Sequence, residues 1–185
     1  MNRLNKPKIR RFVPSFALQT TLFCFLANIA MGQTTELRNL THSEFTKKIN
    51  SLAQEGFRPI KIWSKQLGTI DSVGANFGFW ATLKKDPNGP PWHTVHGINA
   101  DQYQQSFNKW TGQGYIPTDV NVACVGSKVL YCAIFEQIPN APAVAARHNI
   151  NNATFQKENA TWTRQGYKLK VKSSCRGVFA AIWQK

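Results

Sequence analysis

The chain has 185 residues, 42% hydrophobic and 12% aromatic, a composition that excludes disorder over most of its length. Lys and Arg number 23 against nine Asp and Glu, a formal charge of +14, and five of those cations (Arg3, Lys6, Lys8, Arg10, Arg11) crowd the first eleven residues without an acid. What remains suits one ordinary domain of roughly 150 residues and is too short for a two-domain enzyme of the usual kind.

Residues 1–32 read as an export signal. The basic stretch ends at Arg11, an apolar run peaks over 22–30, and Ala30-Met31-Gly32 sets small residues at −3 and −1 of a cleavage point before Gln33. Pro14, Ser15, Gln19, Thr20, Thr21 and Asn28 interrupt the run, and its solid part is too short to cross ~30 Å of hydrocarbon. The expectation is a secreted or periplasmic chain starting near Gln33, without a transmembrane segment. Residues 33–39 are expected to form a short linker.

Residues 40–185 are expected to form a single domain of three repeats, 40–97, 98–149 and 150–185. Gly56-Phe57, Gly114-Tyr115 and Gly166-Tyr167 mark the period, and the same offsets align Leu40, Ile98 and Ile150, then Phe45, Tyr103 and Phe155, then Leu52, Trp110 and Trp162. Thr41, Asn99 and Asn151 are N-cap residues. Glu44 and Gln102 complete a capping box in the first two units, while Thr154 leaves the third with half of one. The apolar pairs 40/45, 98/103 and 150/155 stand at the two ends of a hydrophobic staple. Each glycine is a left-handed C′ stop, with the following aromatic set against the apolar residue at C3. Positions 45, 49, 52 and 103, 107, 110 make one apolar helical stripe, which Asn159 interrupts in the third unit.

After each helix the period changes to two, as in Val120, Val122, Cys124 and in Tyr167, Leu169, Val171. Hydrophobic strands follow at 79–83, 131–135 and 179–183, and short segments at 92–97 and 144–149 lead into the next helix. The predicted fold is α+β: three pseudo-equivalent helix–strand–strand repeats with antiparallel sheet. Cys24 leaves with the signal, and Cys124 and Cys175 match across repeats to within one residue. They are the pair to bridge if neighbouring units set those strands side by side; a Cys124–Cys132 link is the alternative, although a turn at Gly126-Ser127 puts Cys124 opposite Val129.

Gln113-Gly114-Tyr115-Ile116-Pro117, Tyr131-Cys132-Ala133-Ile134-Phe135-Glu136 and Trp92-His93-Thr94-Val95-His96-Gly97 resemble the bacterial tandem repeat domain that precedes the catalytic domain of polyglycine hydrolases. The resemblance covers about residues 40–185. It implies a secreted repeat module, often adjacent to a serine hydrolase of the β-lactamase type; that hydrolase has no counterpart in this sequence.

Few residues are left over for chemistry. Ser106 and Lys109 match the Ser-x-x-Lys nucleophile motif, but they fall inside a repeat helix without Ser-Asp-Asn or Lys-Thr-Gly partners. His93, His96 and His148 could offer three imidazoles to zinc, so a small metal-dependent hydrolase is one alternative function. His96 and His148, however, hold equivalent places before a helix cap, where folding accounts for them. Asp71, Asp101 and Asp119 show no recognisable catalytic spacing. Residues 147–185 hold eight basic residues against Glu158 alone, and Lys168, Lys170 and Lys172 are expected on one strand face, either as a patch for anionic glycan, nucleic acid or membrane surface or as protection of an edge strand. The leading expectation is a secreted, non-catalytic module, with no cofactor or metal, that binds a peptide, wall glycan or secreted protein through Trp63, Trp92, His96, His148, Lys168, Lys170 and Lys172.

Overall fold

A computed structural model describes residues 32–67 and 77–185. The segment expected as an export signal lies outside the described residues, apart from Gly32 at its end, and so does Asp71. The described chain runs β1 (Thr34–Leu40), α1 (His42–Gln54), β2 (Phe57–Gln66), β3 (Phe77–Lys85), β4 (Trp92–Ile98), α2 (Ala100–Thr111), β5 (Ile116–Val125), β6 (Lys128–Glu136), β7 (Val144–Ile150), α3 (Asn152–Arg164), β8 (Lys168–Cys175) and β9 (Val178–Gln184). Three antiparallel sheets result, ordered β1-β3-β2, β4-β6-β5 and β7-β9-β8, each with a helix against it. The fold is α+β, built from three equivalent units.

Three boundaries differ from the sequence reading. Residues 33–39 are expected as a linker, but 34–40 form β1 and pair with β3; the strands at 92–98 and 144–150 likewise pair with β6 and β9 of the unit that follows them. The unit is therefore strand–helix–strand–strand. The physical reason is that the short strand and the helix it feeds cover the same central strand, so they share a core.

The helix signals act as their chemistry requires. Thr41 and Asn99 each accept from the N3 amide while Glu44 and Gln102 bond back to the cap, and Asn151 caps α3 without that return bond. Gly56, Gly114 and Gly166 sit at φ near +83°, and in the last two units the following aromatic's N–H bonds back to Trp110 or Trp162. Phe45, Ile49 and Leu52 are buried. The interruption at Asn159 has a partner: its Oδ1 accepts the indole N–H of buried Trp183 at 2.9 Å. Trp183 stands where the other units carry Leu83 and Phe135, so a polar residue on the stripe accompanies the one strand residue that brings a polar hydrogen.

Units join in series. Along β6, Tyr131, Ala133 and Phe135 face their own helix, while Cys132 and Ile134 enter the core of the first unit; Ala180 and Ile182 of β9 enter the core of the second. Central strands buried on both faces read as unbroken apolar runs. Among the described residues no unit precedes β3, and Trp80 and Thr82 on its outer face are only half-buried.

Candidate binding surface between the repeat units

Two of the histidines, His96 and His148, belong to the joints. Before each helix a β-bulge (between Leu37 and Leu40, Val95 and Ile98, Arg147 and Ile150) carries Asn39, Gly97 or Asn149 at positive φ and re-aims the preceding side chain. That side chain is Arg38, His96 or His148. His96 inserts between Phe45 and Phe79 of the first unit, with ring centroids 4.9 and 5.1 Å away, and His148 meets Tyr103 and Tyr131 of the second at 4.6 and 5.7 Å. A Cβ on residue 97 would come within 2.8 Å of Phe79, which explains glycine there. His96 Nε2 lies 3.1 Å from Thr46 Oγ1, and burial, helped by neighbouring His42, pulls its pKa down to about 4. Burial lowers His148 too. His93 is elsewhere, stacked on Trp110 at 3.5 Å, with its pKa lowered by burial and by Lys109.

A three-histidine metal site is not formed. The rings occupy three separate places, each against aromatic neighbours, and among the described residues no group of three or more His, Cys, Asp or Glu is placed to hold a metal ion. Ser106 Oγ donates to the Gln102 carbonyl and Lys109 lies over Trp110, so the Ser-x-x-Lys pair is engaged within its own helix. Trp92 packs on the first unit's core.

The outer strands β2, β5 and β8 bring other residues together. They lie side by side, and the free edges of β2 and β5 are covered by side chains of the next unit. Ile62 N–H donates to Asp119 Oδ2 at 2.9 Å, Ser64 N–H to Asn121 Oδ1 at 3.1 Å, and Val122 N–H to Ser173 Oγ at 2.9 Å. Cys124 and Cys175 are bonded across the second joint, with Cα atoms 5.8 Å apart, and Cys124 is opposite Val129 in its hairpin. Cys132 stays a buried thiol. Across these strands runs a cleft of about 350 Å³ lined by Lys61, Trp63, Asp119, Asn121, Lys170, Lys172 and Ser173 among others. Burial pushes the Asp119 carboxyl up, against the pull of the Ile62 amide and Lys61. A wider depression of about 540 Å³ between β1 and α1 belongs to the first unit alone, and none of the binding residues named from sequence lines it.

The three β8 lysines do not share a face. Leu169 pairs with Trp183 and Val171 with Ile182, so Lys170 is the extra residue of a bulge that turns Lys168 and Lys172 to opposite sides; β2 and β5 bulge at the same place, after Pro59 and Pro117. Lys170 and Lys172 line the cleft with Trp63, whereas Lys168, Trp92, His96 and His148 do not. Sequence reasoning missed Lys61, Asp119 and Asn121 as cleft residues. Their common offset from Val171 and Ser173 was the available signal.

The profile of the polyglycine hydrolase-like structural repeat matches residues 33–62, 89–138 and 141–185. The chain belongs to that family. In this polyglycine hydrolase-like repeat protein the three matched segments begin with or just before β1, β4 and β7, in step with the strand–helix–strand–strand unit rather than with a unit that starts at the helix. Among the described residues no helix is long and apolar enough to cross a membrane.

Proposed function

We propose that the chain is an exported, non-catalytic repeat module that binds an extended, surface-displayed partner along the cleft of β2, β5 and β8, and that the cleft's chemistry favours an anionic wall glycan. The observation that carries this reading is the convergence of Trp63, Lys61, Lys170 and Lys172 from the first and third units on one cleft, floored by β5 of the second. Half-buried Trp63 offers a flat apolar face for a sugar ring, the lysines offer ammonium donors for carboxylates or phosphates, and Asn121 and Ser173 add neutral polar groups. His96, His148, Cys124 and Cys175 meanwhile serve the joints, and Ser106 is bonded within its own helix.

The test is calorimetric titration of the purified domain with a uronic-acid oligosaccharide and with its neutral counterpart. Binding of the acidic sugar, falling as salt rises and reduced at least fivefold by Lys170→Glu or Trp63→Ala, is the expected result. Equal binding of the neutral sugar, or saturable turnover of any substrate by the metal-free domain, would count against it.

A further inference from the structure

The two joints define what the trailing face of a unit requires. Each places at least one acceptor side chain on the outward N–H groups of its outer strand, Asp119 and Asn121 for Ile62 and Ser64 and Ser173 for Val122, and an imidazole over its pair of rings, as His96 lies over Phe45 and Phe79. The third unit presents the same face without a successor among the described residues. By register, Ile62, Val120 and Lys172 are equivalent, each opposite the alanine of its central strand, and so are Ser64, Val122 and Ser174. The Lys172 and Ser174 N–H groups therefore point outward; both residues are exposed, and among the described residues no side chain is bonded to those amides. Lys172 Nζ lies over Phe155 at 4.6 Å and Phe179 at 5.3 Å, in the place that an imidazole fills at each joint.

A second copy of this chain fits that face poorly. Its leading unit would bring Lys61 and Trp63 where Asp119 and Asn121 stand, and Arg38 where His96 stands, setting cations against Lys172. The face instead has the charge complement of an acid: Lys172 lies over its ring pair, Lys170 is exposed beside it on β8, and Glu158 is the single acidic side chain of residues 147–185. We propose that the outer edge of β8, together with the Phe155–Phe179 ring pair, docks an extended acidic segment of another protein, whose alternate carboxylate and amide side chains take the Lys172 and Ser174 amides as Asp119 and Asn121 take those of Ile62 and Ser64. The lysines that bar self-pairing at this edge thereby select the partner.

The probe is a synthetic peptide with the β5 sequence Ile116–Val125 carrying Cys124→Ser, offered to the whole domain. Saturable binding should slow amide exchange at Lys172 and Ser174 at least tenfold. Asp119→Lys with Asn121→Ala in the peptide should weaken it at least tenfold, and Lys172→Glu in the domain, an exposed change that leaves the core intact, at least fivefold. Equal binding of the two peptides, protection that appears at Trp63 instead of Ser174, or concentration-dependent head-to-tail association of the unmodified domain would each overturn the proposal. Lys172 also lines the cleft, so the two readings are separated at Trp63→Ala, which should weaken sugar binding and leave the peptide's affinity unchanged.

Discussion

The two joints of the stack use the same geometry and different chemistry. Between the first and second units the interface is polar and buried. Arg58, whose side chain is 5% exposed, bonds Glu136 Oε1 at 2.5 Å and reaches Asp86; Asp119 and Asn121 take the β2 amides, and Gly126 N–H donates to Gln66. Between the second and third units the register puts Ile116 and Gln184 where Arg58 and Glu136 stood. Ser173 alone takes a β5 amide, Arg176 bonds the Gly126 carbonyl, and the Cys124–Cys175 bridge closes the joint. The third unit also has the smallest core, Ala145, Phe155, Ala181 and Trp183. A unit that buries little is held covalently, and a unit with a full core is held by ions and hydrogen bonds. One joint should thus answer to reductant and the other to charge.

The largest effect should come from opening the bridge. It closes a loop of 51 residues, for which the loop-entropy relation gives about 4 kcal/mol. Cys124→Ser with Cys175→Ser should lower urea stability by that order, and amide exchange should accelerate over 144–185 while residues 34–85 stay protected. Uniform acceleration over all three units would show that the joints are not separable. Arg58→Met attacks the other joint by leaving Glu136, 15% exposed, without its partner, at a cost of about 3 kcal/mol. Adding Glu136→Leu should return most of that loss, since removing both charges also removes the need to solvate them. Exchange should now quicken at Ile62 and Ser64 and leave the third unit unchanged.

These contrasts mark what the sequence makes legible. Caps, staples and glycine stops lie on local or repeated signals, so Thr41 or Gly114 can be read without coordinates, and the cysteine pair lies within one residue of such a repeat. The ownership of β1, β4 and β7 is not local: a short strand next to a helix gives no sign of which central strand it will join. The bulges at Ile60, Thr118 and Lys170 escape for a related reason, since one extra residue flips the alternation that would reveal it, and with it the face of Lys168. Arg58 and Glu136 are 78 residues apart and unmatched in the other units, so repetition offers nothing there. Thr82 did carry a usable signal. This one polar residue within 79–83, against the unbroken apolar runs at 131–135 and 180–183, accords with a first unit that has one covered face and others that have two. In the cleft, Trp63, Lys170 and Lys172 were legible by chemistry, whereas their meeting depends on the stacking of β2, β5 and β8.

The smallest effect isolates the charge-sensitive joint by pH. His96 Nδ1 is buried without a protein partner, His42 is 4.5 Å away between ring centroids, and Phe45 and Phe79 flank the imidazole, so the folded chain holds it neutral with a pKa of about 4. Unfolded, it titrates near 6.5. The unfolded state then binds more protons between these values, and His96 stabilises the fold fully above about pH 6.5, progressively less as pH falls, and not at all below about pH 4. Allowing for the part of the ring that solvent still reaches, the loss across that window is about 2 kcal/mol. Asp119 works the other way, because a carboxyl whose pKa burial raises favours the folded state as it protonates, so the informative quantity is the difference between the parent and His96→Gln. Urea midpoints measured from pH 7 to pH 4 should fall more steeply for the parent than for His96→Gln, with exchange quickening first at Ile62 and Ser64. Parallel pH profiles would mean that the imidazole is already solvated in the folded chain and that the first joint is not held by the exclusion of charge.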